Sequence, residues 1–224
     1  MIHFFLFLSL KYGELNYEGE HVSISEFYPE GTIISTGISK WLGAGGWRLG
    51  FLLFPKELSS ILQQMIPVAS ETYSCVSAPI QYAAIKGYEN HQEIIDYKRN
   101  SCKILKTLGN FVHQNLESME VKTPKPKGGF YLFPDFTNVL KQRFKTSDDM
   151  CIDALKTIGF AMLPGSSFGF QKEVLTSRIS FVDFDGELVL EKAKTEKIDT
   201  KFIKNHCPNV IEGTEKLINW LKYN

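Results

Sequence analysis

At 224 residues, with 43% hydrophobic and 22% charged side chains, the chain has an ordinary globular composition and length for one sizeable core or two modest ones. Its 25 basic and 25 acidic residues cancel, which excludes the electrostatic footprint of a nucleic-acid binder or of a protein held on an acidic membrane surface. Four cysteines, Cys75, Cys102, Cys151 and Cys207, stand far apart with no pair at metal-ligand spacing, so we expect no metal site and read them as unbridged, mostly buried thiols of a reducing, cytoplasmic setting.

Residues 1–10 are apolar, yet they lack a positive start and a small-residue cleavage site and are too short to span a bilayer. They read as a buried strand or a damaged chain start rather than a targeting segment. A polar loop with Tyr12 and Tyr17 follows. Thr32, Ile33, Ile34 and Ser35 predict a short β-branched strand, and residues 49–54 a second apolar strand closed by Pro55. Two buried strands around a loop fit a mostly parallel α/β sheet. Pro55 suits the start of a helix with Leu58, Ile61, Leu62, Met65 and Ile66 on one face. A hydroxyl-rich loop over residues 69–79 leads into a helix over residues 80–87.

The pattern Asn90-x-x-Glu93 then caps a long helix whose apolar positions include Ile94, Tyr97, Leu105, Leu108 and Val112, ending near Leu116. A helix of that length suits a bridge between two lobes, so we place a domain boundary at its end, giving residues 1–115 and 116–224. The charged, Pro-rich stretch 122–127 reads as a turn, and residues 128–135 as a strand ended by Pro134. Ser147 opens a helix with Cys151, Leu155 and Ile158; residues 160–163 and 178–181 predict two further strands. Residues 187–197 form a charged helix. Residues 208–221 form an amphipathic one, with Val210, Ile211, Thr214, Leu217, Ile218 and Leu221 as its buried stripe.

One stretch carries chemistry. Ser35-Thr-Gly-Ile-Ser-Lys40-Trp-Leu-Gly-Ala-Gly-Gly-Trp-Arg48-Leu-Gly50-Phe places a lysine in a Ser/Gly-rich turn and an arginine eight residues later. On residue type alone Lys40 is a solvated charge and the glycines are a turn. A lysine amine also forms an imine with an aldehyde cofactor, and a guanidinium in a small-residue loop matches phosphate oxygens bidentately. The combination Ser-Lys, short spacer, Gly-Trp-Arg-x-Gly-aromatic resembles the lysine signature of the class I/II aminotransferases, which are pyridoxal-phosphate enzymes of fold type I.

The resemblance implies an α/β fold of two parts: the C-terminal part of the large, mostly parallel-sheet domain, and an α+β small domain. It implies a transaminase that moves an amino group between an amino acid and a 2-oxo acid, a homodimer, with no nucleic-acid or membrane partner. Lys40 is then the catalytic residue and the Schiff-base lysine, and Arg48, Tyr12 and Ser39 join it in binding pyridoxal 5′-phosphate, with Tyr12 at the phenolic oxygen. Arg178, in Arg-Ile-Ser, resembles the arginine that grips the substrate α-carboxylate, a task its planar fork suits. Phe130, in Gly-Gly-Phe-Tyr-Leu-Phe, is expected to line the substrate pocket. Pro164-Gly-Ser-Ser-Phe168-Gly resembles the family's pocket-shaping turn, and Ser74 falls in the loop that reaches a neighbouring subunit's site.

Some positions depart from the pattern. Ser9-Leu10-Lys11 stands where the resemblance calls for Asp-Glu-Ile, Gly37 stands where many relatives carry a phosphate-binding serine, and no Asn-Pro-x-x-Gly occurs. The resemblance covers the C-terminal half of the family from Tyr12 onward. The expectation is therefore a truncated enzyme lacking groups that the activity needs. The alternatives are a non-catalytic remnant acting as an interaction module and a pyridoxal-phosphate carbon–sulfur lyase, which shares the lysine motif.

Overall fold

The β-branched run of the first forty residues becomes the centre of a three-stranded sheet. In the computed structural model, which describes residues 5–10, 12–19, 21–89 and 91–222, β1 (Leu6–Ser9) pairs parallel with β2 (Thr32–Gly37), and β3 (Gly50–Leu53) pairs antiparallel with β2. The connection over residues 38–49 holds one 3₁₀ turn, Gly45–Trp47, and no crossover helix, so β3 returns antiparallel beside β2. Gly37 faces Gly50 where the two strands meet. A Cβ on Gly37 would lie 2.8 Å from the Leu49 carbonyl oxygen, a distance that only glycine tolerates.

These strands belong to the first of two compact units, Met1–Arg99. The strand expected at the chain start forms, but it is not buried: Leu6 is 41% and Phe7 60% exposed. β1 is the sheet's edge, paired on one side only. Pro55 precedes a 3₁₀ turn, Lys56–Leu58, and the helix proper, α1 (Ser59–Tyr73), starts four residues after it. α1 holds Pro67 in its interior and buries none of its residues, so its apolar stripe is largely open, Met65 and Ile66 included. α2 (Ala78–Tyr88) begins with Pro79 in its first turn, where the missing N–H costs nothing. Tyr88 at its end sets its ring edge-on to Trp41 at 5.3 Å and to Phe51 at 5.4 Å, fastening the loop after β2 to the helix.

α3 (Gln92–Glu117) is the long helix that the periodicity predicts; its expected cap, Asn90, lies outside the described residues. The two compact units divide inside it, between Arg99 and Asn100, ahead of the boundary expected at residues 115/116. The reason is the burial of Ile104, Leu105, Leu108, Val112 and Leu116, one stripe of the helix that packs into the second unit's core.

The second unit, Asn100–Asn224, has a sheet in the order β4 (Tyr131–Leu132), β6 (Ser177–Ser180), β5 (Leu163–Pro164), antiparallel throughout. β4 is shorter than the expected 128–135 strand because Gly129, with φ 67°, breaks the extended run before it and Pro134 cannot donate to the ladder after it; Asp135 makes single bridges to Lys122 and Thr176. A short helix, α4 (Thr137–Leu140), follows. α5 (Ser147–Ile158) is capped by the Thr146 hydroxyl, which accepts from the Asp149 N–H at 3.1 Å, and stops at Gly159 with φ 68°. The charged helix expected over 187–197 is the shorter α6 (Gly186–Lys192), and α7 (Thr200–His206) is capped by Asp199. α8 (Pro208–Lys222) buries the expected stripe and adds Trp220, whose Nε1–H donates to Asp153 Oδ2 at 3.0 Å. Cys151 and Cys207 are buried, whereas Cys75, against expectation, is exposed at the polar turn between α1 and α2.

Candidate active site

Because β1 and β2 are parallel, the chain leaves both at the same end, and antiparallel β3 starts there. Tyr12 lies three residues beyond β1, Lys40 three beyond β2, and Arg48 two ahead of β3. The topology thus gathers them at the carboxyl end of the sheet's parallel strands, where open α/β sheets bind their ligands. The Lys40 Nζ stands 5.9 Å from the Tyr12 ring centre, at the reach of a cation–π contact. Ile38 and Trp41 are buried on either side of the half-exposed pair Ser39 and Lys40, which fixes the turn while leaving its polar tip accessible.

Arg48 adopts a left-handed conformation, φ 54° and ψ 40°, which is uncommon for a residue with a Cβ, and it turns the chain into β3. Its exposed guanidinium donates from Nη1 to the Gly45 carbonyl at 2.9 Å. This region has a further element that no sequence motif marks. Lys98, on α3 within the first unit, pairs with Glu14 Oε2 at 2.5 Å and lies 5.6 Å from the Trp41 ring centre, so one cation ties the Tyr12 loop to the Lys40 loop. The two partners of the ion pair are 84 residues apart, and nothing in the local pattern announces it. Ser74, with φ 62° at the end of α1, lines a 620 Å³ cleft with Tyr73, Cys75, Gln81 and Tyr88 in the same unit.

In the second unit the alternation of β6 sorts its side chains. Ile179 is buried with Leu132 opposite it, while Arg178 and Ser180 point to the other face with Tyr131 and Leu163. The Arg178 guanidinium carbon lies 4.4 Å from the Tyr131 ring centre and 4.9 Å from that of Phe168. Phe130 is half-buried, its ring tilted against Tyr131 at 4.6 Å. The motifs held Tyr131 and Phe168 without marking them; the period-2 alternation of β4 and β6 is the signal that places Tyr131 beside Arg178. Among the described residues no group of three or more His, Cys, Asp or Glu side chains is placed to hold a metal ion, and no helix is long and apolar enough to cross a membrane.

The family described as aminotransferase class I and II matches this chain over residues 4–189. A probable N-acetyl-LL-diaminopimelate aminotransferase of Bacillus subtilis (strain 168) is 35% identical over 170 residues, 76% of this chain and 40% of that protein. An aspartate aminotransferase of Geobacillus stearothermophilus is 33% identical over 178 residues, 77% of this chain and 44% of that protein. The crystal structure of an aromatic aminotransferase from Pyrococcus horikoshii OT3 superposes with a TM-score of 0.76 at 26% identity, covering 98% of this chain and 51% of that one. The chain spans about half the length of the proteins it matches. The range of the family match includes positions 12, 40, 48 and 178, and the chain belongs to the class I and II aminotransferase family, of fold type I.

Proposed function

We propose that this chain forms part of a transaminase that uses pyridoxal 5′-phosphate to move an amino group between an amino acid and a 2-oxo acid. The observation that carries the reading is the gathering of an amine (Lys40), a phenol (Tyr12) and a guanidinium (Arg48) at one end of one sheet. That donor set fits the cofactor: an amine for its aldehyde, a phenol for its phenolic oxygen, and Arg48 with Ser39 for its phosphate. β1 ends at Ser9 and is followed by Leu10, which together offer the ring nitrogen no carboxylate, and the nearby Glu14 is engaged by Lys98. When bound, pyridoxal phosphate supplies an aldehyde and an electron-withdrawing ring.

The chain's own groups divide the work. Lys40 holds the cofactor and moves a proton at the substrate α-carbon, first as base and then as acid. Tyr12 orients the ring side of the site, the left-handed turn at Arg48 sets the anion-binding end, and Arg178 takes the substrate carboxylate in a bidentate grip. Phe130 lines the substrate side. We place the enzyme in the cytoplasm as a homodimer, supported by cysteines that form no disulfide among the described residues and by the apolar side chains open on α1.

The test is an absorbance spectrum of the purified chain with added pyridoxal phosphate, beside the Lys40→Ala variant. We expect an absorption band of attached cofactor in the parent that the variant lacks, and borohydride should abolish that band while locking the cofactor onto the chain. Identical spectra from the two proteins would remove Lys40 from its role.

A further inference from the structure

Two arginines of the second unit meet pairs of aromatic rings, and they differ in one respect. The Arg143 guanidinium carbon lies 4.6 Å from the Phe144 ring centre and 4.5 Å from that of Trp220, and its Nη2 donates to Asp153 Oδ2 at 2.5 Å. Arg178 lies at 4.4 and 4.9 Å from the Tyr131 and Phe168 rings, yet no carboxylate or other acceptor among the described residues takes its N–H groups. In Arg143 the charge is matched inside the fold. In Arg178, among the described residues, two rings hold it.

The placement of those rings is built into the backbone. Tyr131 sits opposite Ser180 on β4, one pleat along from Arg178 on the same face. Phe168 ends the 3₁₀ turn Gly165–Phe168 that follows β5. That turn is fastened to the residue just ahead of β6: the Gly165 N–H donates to the Thr176 carbonyl at 2.8 Å, and a Cβ on Gly165 would stand 1.9 Å from Thr176 Oγ1. Gly169, with φ 86°, closes the turn. The approach of Gly165 to Thr176 therefore sets where the Phe168 ring lies.

We propose that Tyr131 and Phe168 are positioning residues that hold the Arg178 guanidinium for the substrate's carboxylate. The inference rests on the reading of Arg178 as the carboxylate-binding arginine. A ring attracts a guanidinium through its face, which leaves the in-plane N–H fork uncommitted, whereas a carboxylate partner would fill that fork. The rings also pre-order a long side chain, so less freedom is lost when the substrate docks.

The experiment is an NMR titration of the isotopically labelled chain with pyruvate as the probe, following the Arg178 Nε–Hε signal, assigned by its loss in Arg178→Lys. In the parent we expect a ring-current-shifted signal that moves on addition of pyruvate. Phe168→Leu should abolish part of the ring-current shift and weaken pyruvate binding about fivefold, as expected for loss of one such contact, and Phe168→Tyr should restore both. Phe168 is 40% exposed, so its replacement leaves the core intact; the Ile179 amide signal checks β6, and Tyr131→Leu gives the second, independent arm. Unchanged pyruvate affinity in both leucine variants would overturn the positioning role with the carboxylate reading still standing. A parent signal that shows the ring-current shift but ignores pyruvate would overturn the carboxylate reading, and the proposal with it.

Discussion

In the first unit the candidate site side chains stand beyond the strand ends, on the loops that carry Tyr12, Lys40 and Arg48; in the second, the candidate Arg178 stands within a strand, on the face opposite the buried Ile179. The two arrangements need different support. A loop site depends on turn geometry, here the Gly37–Gly50 approach and the left-handed Arg48, together with the clamp of Lys98 on Glu14 and Trp41. A strand site depends on the sheet's buried side. Below Arg178 that side is well filled: Leu132, Phe136, Leu175, Ile179 and Phe181 are nearly inaccessible. Among the described residues the first unit buries a smaller set of large apolar side chains, Leu15, Ile33, Ile38, Trp41 and Leu49, and its helix α1 buries nothing. We therefore expect stability to be concentrated in the second unit.

Paired truncations give the largest effect that can break this contrast. Phe136 is fully buried, so Phe136→Ala should cost about 3–5 kcal/mol of unfolding free energy, the usual sum of lost transfer energy and a residual cavity. Ile66 on α1 is 52% exposed, and Ile66→Ala should stay within about 0.5 kcal/mol of the parent. Urea unfolding followed by circular dichroism measures both. Similar losses in the two variants would mean that the first unit contributes as much to the cooperative core as the second.

The same contrast explains what could be read from residue order. β2, the Lys40 turn and the buried stripe of α8 are local patterns, and their positions follow from β-branching, glycine spacing and a 3.6-residue period. The exposure of β1 was not legible, because whether an apolar strand is covered depends on what lies beside it, and β1 is an edge. α4 and α7 are too short for periodicity to reveal. Of the candidate site, Lys40 and Arg48 were marked by their motif, whereas the Lys98–Glu14 tie joins residues far apart in the chain. The division of the long helix between two units was hidden for another reason: its apolar positions continue smoothly from Ile94 to Val112, but only those from Ile104 onward find a filled core.

A smaller effect separates the units by their thiols. Burial pushes the Cys151 thiol up from the ordinary 9.0 to about 12, with the Asp148 carboxylate adding to it, and burial alone pushes Cys207 up to about 11. Cys75, in the first unit, is exposed. At pH 8 an alkylating reagent should therefore label Cys75 first and leave Cys151 and Cys207 nearly untouched in the native chain, as mass spectrometry of the peptides will show. The sign of the linkage is fixed too. A folded-state pKa above the unfolded one means stability that is complete below about pH 9 and is lost progressively as the pH rises toward 12, since the unfolded chain sheds the protons first. Early labelling of Cys151 would place that thiol outside the core.

The smallest expected effect concerns charge at the surface. Glu89, at the end of α2, has Oε2 2.8 Å from Lys86 Nζ and 2.6 Å from His91 Nε2, and these hydrogen bonds, Lys86 first, hold its carboxyl below the ordinary 4.5. In the second unit Asp153 also meets two partners, Arg143 and Trp220, but there the guanidinium is roofed by rings; around Glu89 the Lys86 side chain is 72% exposed, so water and salt compete for every contact. A depressed carboxylate contributes stability above its unfolded pKa and loses it as the pH falls through the folded value. The consequence is a Glu89 side-chain titration, read by carbon NMR, with its midpoint below 4.5 at low salt and drifting upward as salt is added. Glu89→Gln should then leave the urea midpoint near that of the parent at neutral pH and high salt, because the contact it removes is one that solvent already screens. A midpoint at or above 4.5, or a Glu89→Gln variant that unfolds as readily as Phe136→Ala, would show that the end of α2 is held more tightly than its exposure implies.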